Sequence, residues 1–191
     1  TCTGEPCSVG EFGPPGSLTG SLAARSVMCK KPWAMSDAEF RQASWDWVQN
    51  DEADPEGKWG ELGWWDVSEV KRFDHAFSEN RDEAGVSYKI HANPKAKMFV
   101  GTAMSKWITT SATSLHYTFG WASSMNADLG GWDVSHVIRL DVTFAAATLF
   151  QGVGLDKWDT ASATTLYHTF TASGMNADLS TWKVAKVTSL K

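Results

Sequence analysis

From Trp65 onward the apolar positions of the chain return at a nearly fixed interval. Trp107, Trp132, Trp158 and Trp182 are separated by 25, 26 and 24 residues. Counted from each tryptophan, position +2 holds Val67, Thr109, Val134, Thr160 and Val184, and position +5 holds Val70, Ala112, Val137, Ala163 and Val187. Position +8 holds Phe73, Leu115, Leu140, Leu166 and Leu190, and position +12 holds Phe77, Phe119, Phe144 and Phe170. A second landmark precedes the next tryptophan, as Met125-Asn126-Ala127-Asp128-Leu129, Phe150-Gln151 and Met175-Asn176-Ala177-Asp178-Leu179. Such a period predicts stacked coils, because one unit has an apolar face too small to be stable alone and stacking makes the core continuous. Within each coil the spacing predicts a tight turn at Trp-Asp-Val-Ser, a short strand around +5 to +8 and a helical turn near +10 to +16. The expected fold is therefore an α/β repeat, a solenoid of about five coils of this period with an N-terminal capping helix. The stretch 107–191 contains no proline, which suits an uninterrupted ladder.

The other segments divide as follows. Residues 1–35 read as an extended arm, with five Gly and three Pro in the first 20 positions. Residues 36–64 read as the capping helix and its lead-in. Ser36 with Glu39 three residues on is a capping box, and Phe40, Ala43, Trp47 and Val48 share one helical face. Asn50-Asp51 and Pro55-Glu56-Gly57 stop this helix. Residues 65–191 are the repeats. The interval between Trp65 and Trp107 is 42 residues, and its excess is a polar stretch at about 78–97. An insertion in one coil maps to a loop on one face, which either carries binding or is a tolerated surface excursion.

Composition narrows the class. Of 191 residues 42% are hydrophobic and 20% charged, which supports a packed core. The formal charge of −5 disfavours nucleic acid, which demands a basic face. The acidity is concentrated: residues 37–83 hold 14 carboxylates and 5 Lys/Arg, a local charge of −9. That end is expected to steer basic partners or to keep the protein in solution. Apolar runs are far shorter than the ~20 residues a spanning helix requires. Cys2, Cys7 and Cys29 lie in the first 29 positions, where one bridge can pin the arm in an oxidising compartment and no ligand spacing suggests zinc. A chain opening on Thr1 is expected to be a processed or longer product, and no Asn-x-Ser/Thr sequon is present.

Trp65-Asp66-Val67-Ser68-Glu69-Val70 and Trp132-Asp133-Val134-Ser135-His136-Val137, with the closing Met-Asn-Ala-Asp-Leu copies, resemble the DUF285 repeat of BspA-like leucine-rich-repeat surface proteins. Trp158-Asp159 matches in part, while Trp107-Ile108 and Trp182-Lys183 depart at the aspartate. The lead-in Trp59-Gly60-Glu61-Leu62-Gly63-Trp64-Trp65 resembles that of algal members. The resemblance covers about residues 36–191. It implies a leucine-rich-repeat-like right-handed solenoid, found in bacterial surface proteins and in unicellular algae, and it implies no chemistry.

Little in the chain points to catalysis. It has no nucleophile elbow, phosphate loop or His-Glu-x-x-His helix, so no enzyme and no cofactor is expected. His75, His91, His116, His136 and His168 fall at different repeat offsets and read as surface residues rather than a metal site. Asp66, Asp133 and Asp159 at +1 read as turn caps, and Asn126 and Asn176 as an internal side-chain ladder. Trp65, Trp107, Trp132, Trp158 and Trp182, with Phe77, Phe119, Phe144 and Phe170, are expected as packing columns. Trp121, off the register, and Tyr88, His91, Lys95 and Lys97 in the insertion are the expected partner contacts. The expected function is a non-catalytic scaffold that binds other proteins as an accessory subunit of a large assembly. The far end, where Lys191 follows Leu190 without a polar cap, is expected to be covered by a partner or by further coils. Two settings follow: a peripheral subunit of a plastid photosystem–antenna complex in an alga, lying against a membrane complex without spanning it, or a cell-surface adhesion module.

Overall fold

The computed structural model describes residues 34–54, 57–85 and 88–190. The arm at 1–33 with its three cysteines, Pro55-Glu56 and Lys191 lie outside the described residues. One helix, α1, spans Asp37–Gln49 and starts at the expected capping box: Glu39 N–H donates to Ser36 Oγ, and Ser36 N–H to the Glu39 carboxylate. Its buried face is Phe40, Ala43, Ser44, Trp47 and Val48. Phe40 packs against Phe73 with ring centroids 4.7 Å apart, and against Trp65, Phe77 and Trp107. The helix thus covers one end of the apolar column.

The remainder is a stack of coils, but not of the predicted kind. Among the described residues there is no strand, and no helix lies beyond α1 except short 3-10 turns such as Leu62–Trp64, Pro94–Met98, Thr102–Lys106 and Leu155–Lys157. The expectation of a strand-plus-helix, leucine-rich-repeat-like solenoid is therefore corrected. Each coil contributes a single bridging residue at +7, giving the parallel series Arg72, Ser114, Arg139, Thr165 and Ser189. No strand extends beyond it because tight turns begin at once: the +11 N–H returns to the +8 carbonyl, as Thr118 to Leu115 and Thr143 to Leu140. Nor does a helix form at +10 to +16. Position +10 is left-handed in His75, Tyr117, Val142 and His168, and position +14 in Trp121, Ala146 and Ala172, with φ of 54–62°. A left-handed residue at every fourth position is incompatible with a right-handed helix. The N–H groups at +8, +10, +12 and +14 instead point to the next coil. Leu115, Tyr117, Phe119 and Trp121 donate to the carbonyls of Arg139, Asp141, Thr143 and Ala145.

Aromatic stacking runs through this frame. Trp65, Trp107 and Trp132 stack at 5.9 and 5.8 Å, and Trp158 stacks on Trp182 at 6.0 Å. Phe77, Phe119, Phe144 and Phe170 form a second column at 5.6–5.8 Å. Each indole N–H reaches back to the coil before: Trp107 to Leu62 O, Trp132 to Met104 O, Trp158 to Leu129 O and Trp182 to Leu155 O. That bond is a second one for each turn carbonyl, which already accepts from the backbone N–H three residues on, and it is a bond that phenylalanine at the repeat origin could not make. Threonine at +11 does the same for the +8 carbonyls. Thr118 Oγ1 donates to Phe73 O, Thr143 Oγ1 to Leu115 O, and Thr169 Oγ1 to Leu140 O.

The N-terminal edge is closed by a side chain. In later coils the +6 N–H donates to the +6 carbonyl of the preceding coil, as Ile138 to Thr113 and Thr164 to Ile138. Lys71 has no preceding coil, and Asp37 Oδ1, in the first turn of α1, accepts from Lys71 N–H at 2.7 Å and Arg72 N–H at 3.2 Å. Asp37→Ala is expected to cost about 1–2 kcal/mol by leaving two charge-assisted bonds unmade. A urea-midpoint shift smaller than that of an exposed control, Glu69→Ala, would count against this role.

Candidate interaction surface

The ladder face presents the side chains at +7, +9 and +10. Arg72 makes a two-donor contact with Asp74 Oδ2 at 2.6 and 2.9 Å, and Arg139 pairs with both oxygens of Asp141. Asp141 also meets His116 Nδ1 at 2.5 Å, and Ser114 donates its hydroxyl to Asp74. Burial alone would raise the Asp141 carboxyl, but the bonds from His116 and Arg139 outweigh it and hold the group down at about 2. Positive and negative groups are thus matched on this face. Ser114, the serine in this cluster, gives its proton to a carboxylate rather than to a histidine base.

His75 was expected at the surface and is 5% exposed. Its ring stacks on Tyr117 at 4.9 Å and meets His116 edge-on at 5.3 Å, and its Nδ1 has no hydrogen-bond partner among the described residues. The scatter of histidine offsets hid this pairing, because +10 of one coil lies beside +9 of the next. Burial, followed by the charges of His116, Arg81 and Arg139 against that of Asp74, lowers the His75 pKa to about 4. The folded state then binds fewer protons than the unfolded chain between pH 6.5 and 4. Stability is full above that window and falls as pH drops through it, by about 3 kcal/mol in all. His75→Asn, which tolerates the left-handed backbone and does not titrate, is expected to flatten urea midpoints over this window. An equally steep variant curve would exclude His75 as the cause.

The expected partner contacts separate into two groups. Tyr88 is 47% exposed and meets Tyr117 edge-on at 5.4 Å, and Tyr117 stacks on Trp121 at 6.1 Å. Trp121 is half-buried at +14 and so in register, contrary to the expectation that it stands off it. Tyr167, 41% exposed at +9, occupies the ladder face two coils beyond Asp74's neighbour His116. These aromatic residues form the candidate contact strip. The basic residues are engaged internally. Lys95 Nζ caps α1 through Gln49 O at 2.7 Å and pairs with Asp51 at 3.0 Å. His91 Nδ1 and Lys97 Nζ converge on Glu79 Oε1 at 2.6 and 2.9 Å.

The insertion is not wholly a surface excursion, since Ser78, Glu79, Asn80 and Arg81 are buried. Arg81 is its anchor, and nothing in the repeat pattern announced it. Its guanidinium donates to Ser44 Oγ and to the carbonyls of Ala76, Arg41, Asp82 and Glu83. Gly85, at φ 62°, allows this approach, because a Cβ there would lie 2.7 Å from Arg81 Nη2 and from Arg41 Cγ. At the +1 positions Asp66, Asp133 and Asp159 accept from the backbone N–H two residues on, as turn caps do. Asn126 is exposed rather than internal and accepts from Gln151 N–H of the next coil.

Among the described residues no group of three or more His, Cys, Asp or Glu is placed to hold a metal ion, and no helix is long and apolar enough to cross a membrane. A family model described as "Mycoplasma protein of unknown function, DUF285" matches residues 87–191, more than half of the chain. No curated protein and no solved structure matches it.

Proposed function

The chain belongs to the DUF285 family, and we propose that it is a non-catalytic scaffold that binds other proteins as an accessory subunit of an assembly. The observation that carries this reading is the aromatic strip Tyr88–Tyr117–Trp121, with Tyr167 beyond it, on a face whose arginines and aspartates already neutralise one another. Half-exposed tyrosine and tryptophan on a rigid backbone contribute contact area with little side-chain entropy to lose, and such residues dominate protein interfaces. Paired charges on the strip leave recognition to shape and aromatic contact.

The BspA-like and algal readings set the context in which such a subunit works, either against a plastid photosystem–antenna complex or at a cell surface. The lead-in that carries the algal resemblance is part of the stack here, since Gly60 and Leu62 offer their carbonyls to the indoles of Trp65 and Trp107. Recovery of the protein from its native cells under mild detergent, with wild type and Tyr88→Ser compared, tests the scaffold reading. Neighbours bound by wild type and lost with the variant support it. A wild-type protein that sediments alone and recovers no neighbour overturns it, and the compartment of those neighbours decides between the two settings.

A further inference from the structure

Away from the aromatic strip, a cavity of about 350 Å³ opens between the C-terminal end of α1 and the insertion, lined by Val48, Asp51, Glu52, Lys95, Met98 and Phe99. That size lies within the range of sites that hold small ligands or single side chains. Its floor is apolar, since Val48 and Phe99 are almost fully buried and Phe99 is fixed by stacking on Phe77 at 4.1 Å. Met98, 73% exposed, is its flexible wall. The rim is charged, with two carboxylates against one ammonium. Glu52 Oε1 is held by Val100 N–H at 2.7 Å, and Asp51 is occupied by Lys95 at 3.0 Å. The cavity therefore has an excess of one negative charge at its mouth, and both carboxylates belong to the segment 37–83, whose local charge is −9.

We propose that this cavity is a socket for an arginine side chain of a partner protein. The proposal rests on the scaffold reading and names the chemistry of the partner. An arginine stem lies along Val48, Phe99 and Met98, and its guanidinium meets Asp51 and Glu52 at the rim. Lys95 is the internal cation that holds Asp51 until a guanidinium takes its place, which a forked donor does with better carboxylate geometry than an ammonium.

The test uses n-butylguanidinium as the probe, with n-butanol and n-butyrate as controls, followed by NMR of the methionine methyl groups in the full chain. Saturable shifts at Met98 are expected for the cation at about millimolar Kd, as suits a ligand of this size. Asp51→Lys is expected to weaken that binding about tenfold or more. Lys95→Met, which keeps the stem and removes the competing charge, is expected to tighten it about threefold. Absence of saturable shifts in wild type overturns the proposal, as does equal binding of butanol or butyrate, or weaker binding by Lys95→Met. Failure of the native recovery experiment sinks the scaffold reading alone, whereas failure of the probe removes the socket and leaves that reading standing.

Discussion

Trp132→Ala is expected to lower the stability of the protein by about 3–5 kcal/mol, whereas Trp182→Ala, at the same repeat position, costs about 1–2 kcal/mol. The difference comes from place in the stack. Trp132 is buried, stacks on Trp107 at 5.8 Å and contacts Phe73 and Phe119 at 5.6 and 6.0 Å. Its indole N–H also satisfies the Met104 carbonyl of the coil before, at 3.0 Å. Trp182 is half-buried and touches Trp158 and Phe170, and beyond it Val184 and Leu190 stand exposed at the end of the described stack. Removing an indole from the middle opens a cavity between two coils that cannot collapse independently, while removing the last one mostly returns surface to water. Trp132→Phe separates the two contributions: it keeps most of the apolar volume, removes one of the two donors to the Met104 carbonyl while that of Trp107 N–H stays, and is expected to cost about 1–2 kcal/mol. Urea unfolding of the three variants under identical conditions provides the measurement. Equal losses for Trp132→Ala and Trp182→Ala would mean that the coils do not share one core.

The tryptophan and phenylalanine columns were legible in the sequence because burial repeats with the chain's own period, and a period survives any local conformation. The backbone between the columns was not. Apolar residues at +5, +8 and +12 are equally served by a strand followed by a helix or by linked turns, since each places those side chains inward. What separates the two is the sign of φ at +10 and +14. The residues there are His, Tyr, Val, Trp and Ala rather than glycine, so the usual signal of a left-handed position is missing. Neighbouring coils impose the conformation through the N–H groups they accept, which makes it a tertiary property. The candidate surface was legible only in part. Tyr88 and Trp121 were visible as aromatic residues outside the columns. The engagement of Lys95, Lys97 and His91 with Gln49, Asp51 and Glu79 depends on how the insertion folds back over α1, and no spacing in the sequence encodes that path.

Arg81→Met is expected to cost about 4 kcal/mol or more, the largest effect of any polar substitution among the described residues. The guanidinium is wholly buried, and its five donors are spent on one hydroxyl and four carbonyls. Burial, aided by the charge of Arg41, depresses its pKa to about 10, which corresponds to roughly 3 kcal/mol of strain carried by the charged form at neutral pH. An apolar replacement relieves that strain. It also deprives Ala76, Arg41, Asp82 and Glu83 of a charged donor, at roughly 1.5–3 kcal/mol for each bond, and the second effect is the larger. These acceptors belong to α1, to the first coil and to the turn that opens the insertion, so one side chain fastens three segments. Arg81→Lys is expected to recover little, because an ammonium has three donors and cannot span the same fork. The loss should also be local before it is global. Limited proteolysis of Arg81→Met is expected to cut within the insertion while amide exchange in the later coils stays slow. A variant whose urea midpoint lies within 1 kcal/mol of wild type, or whose later coils exchange as fast as the insertion, would show that the guanidinium does not hold these segments together.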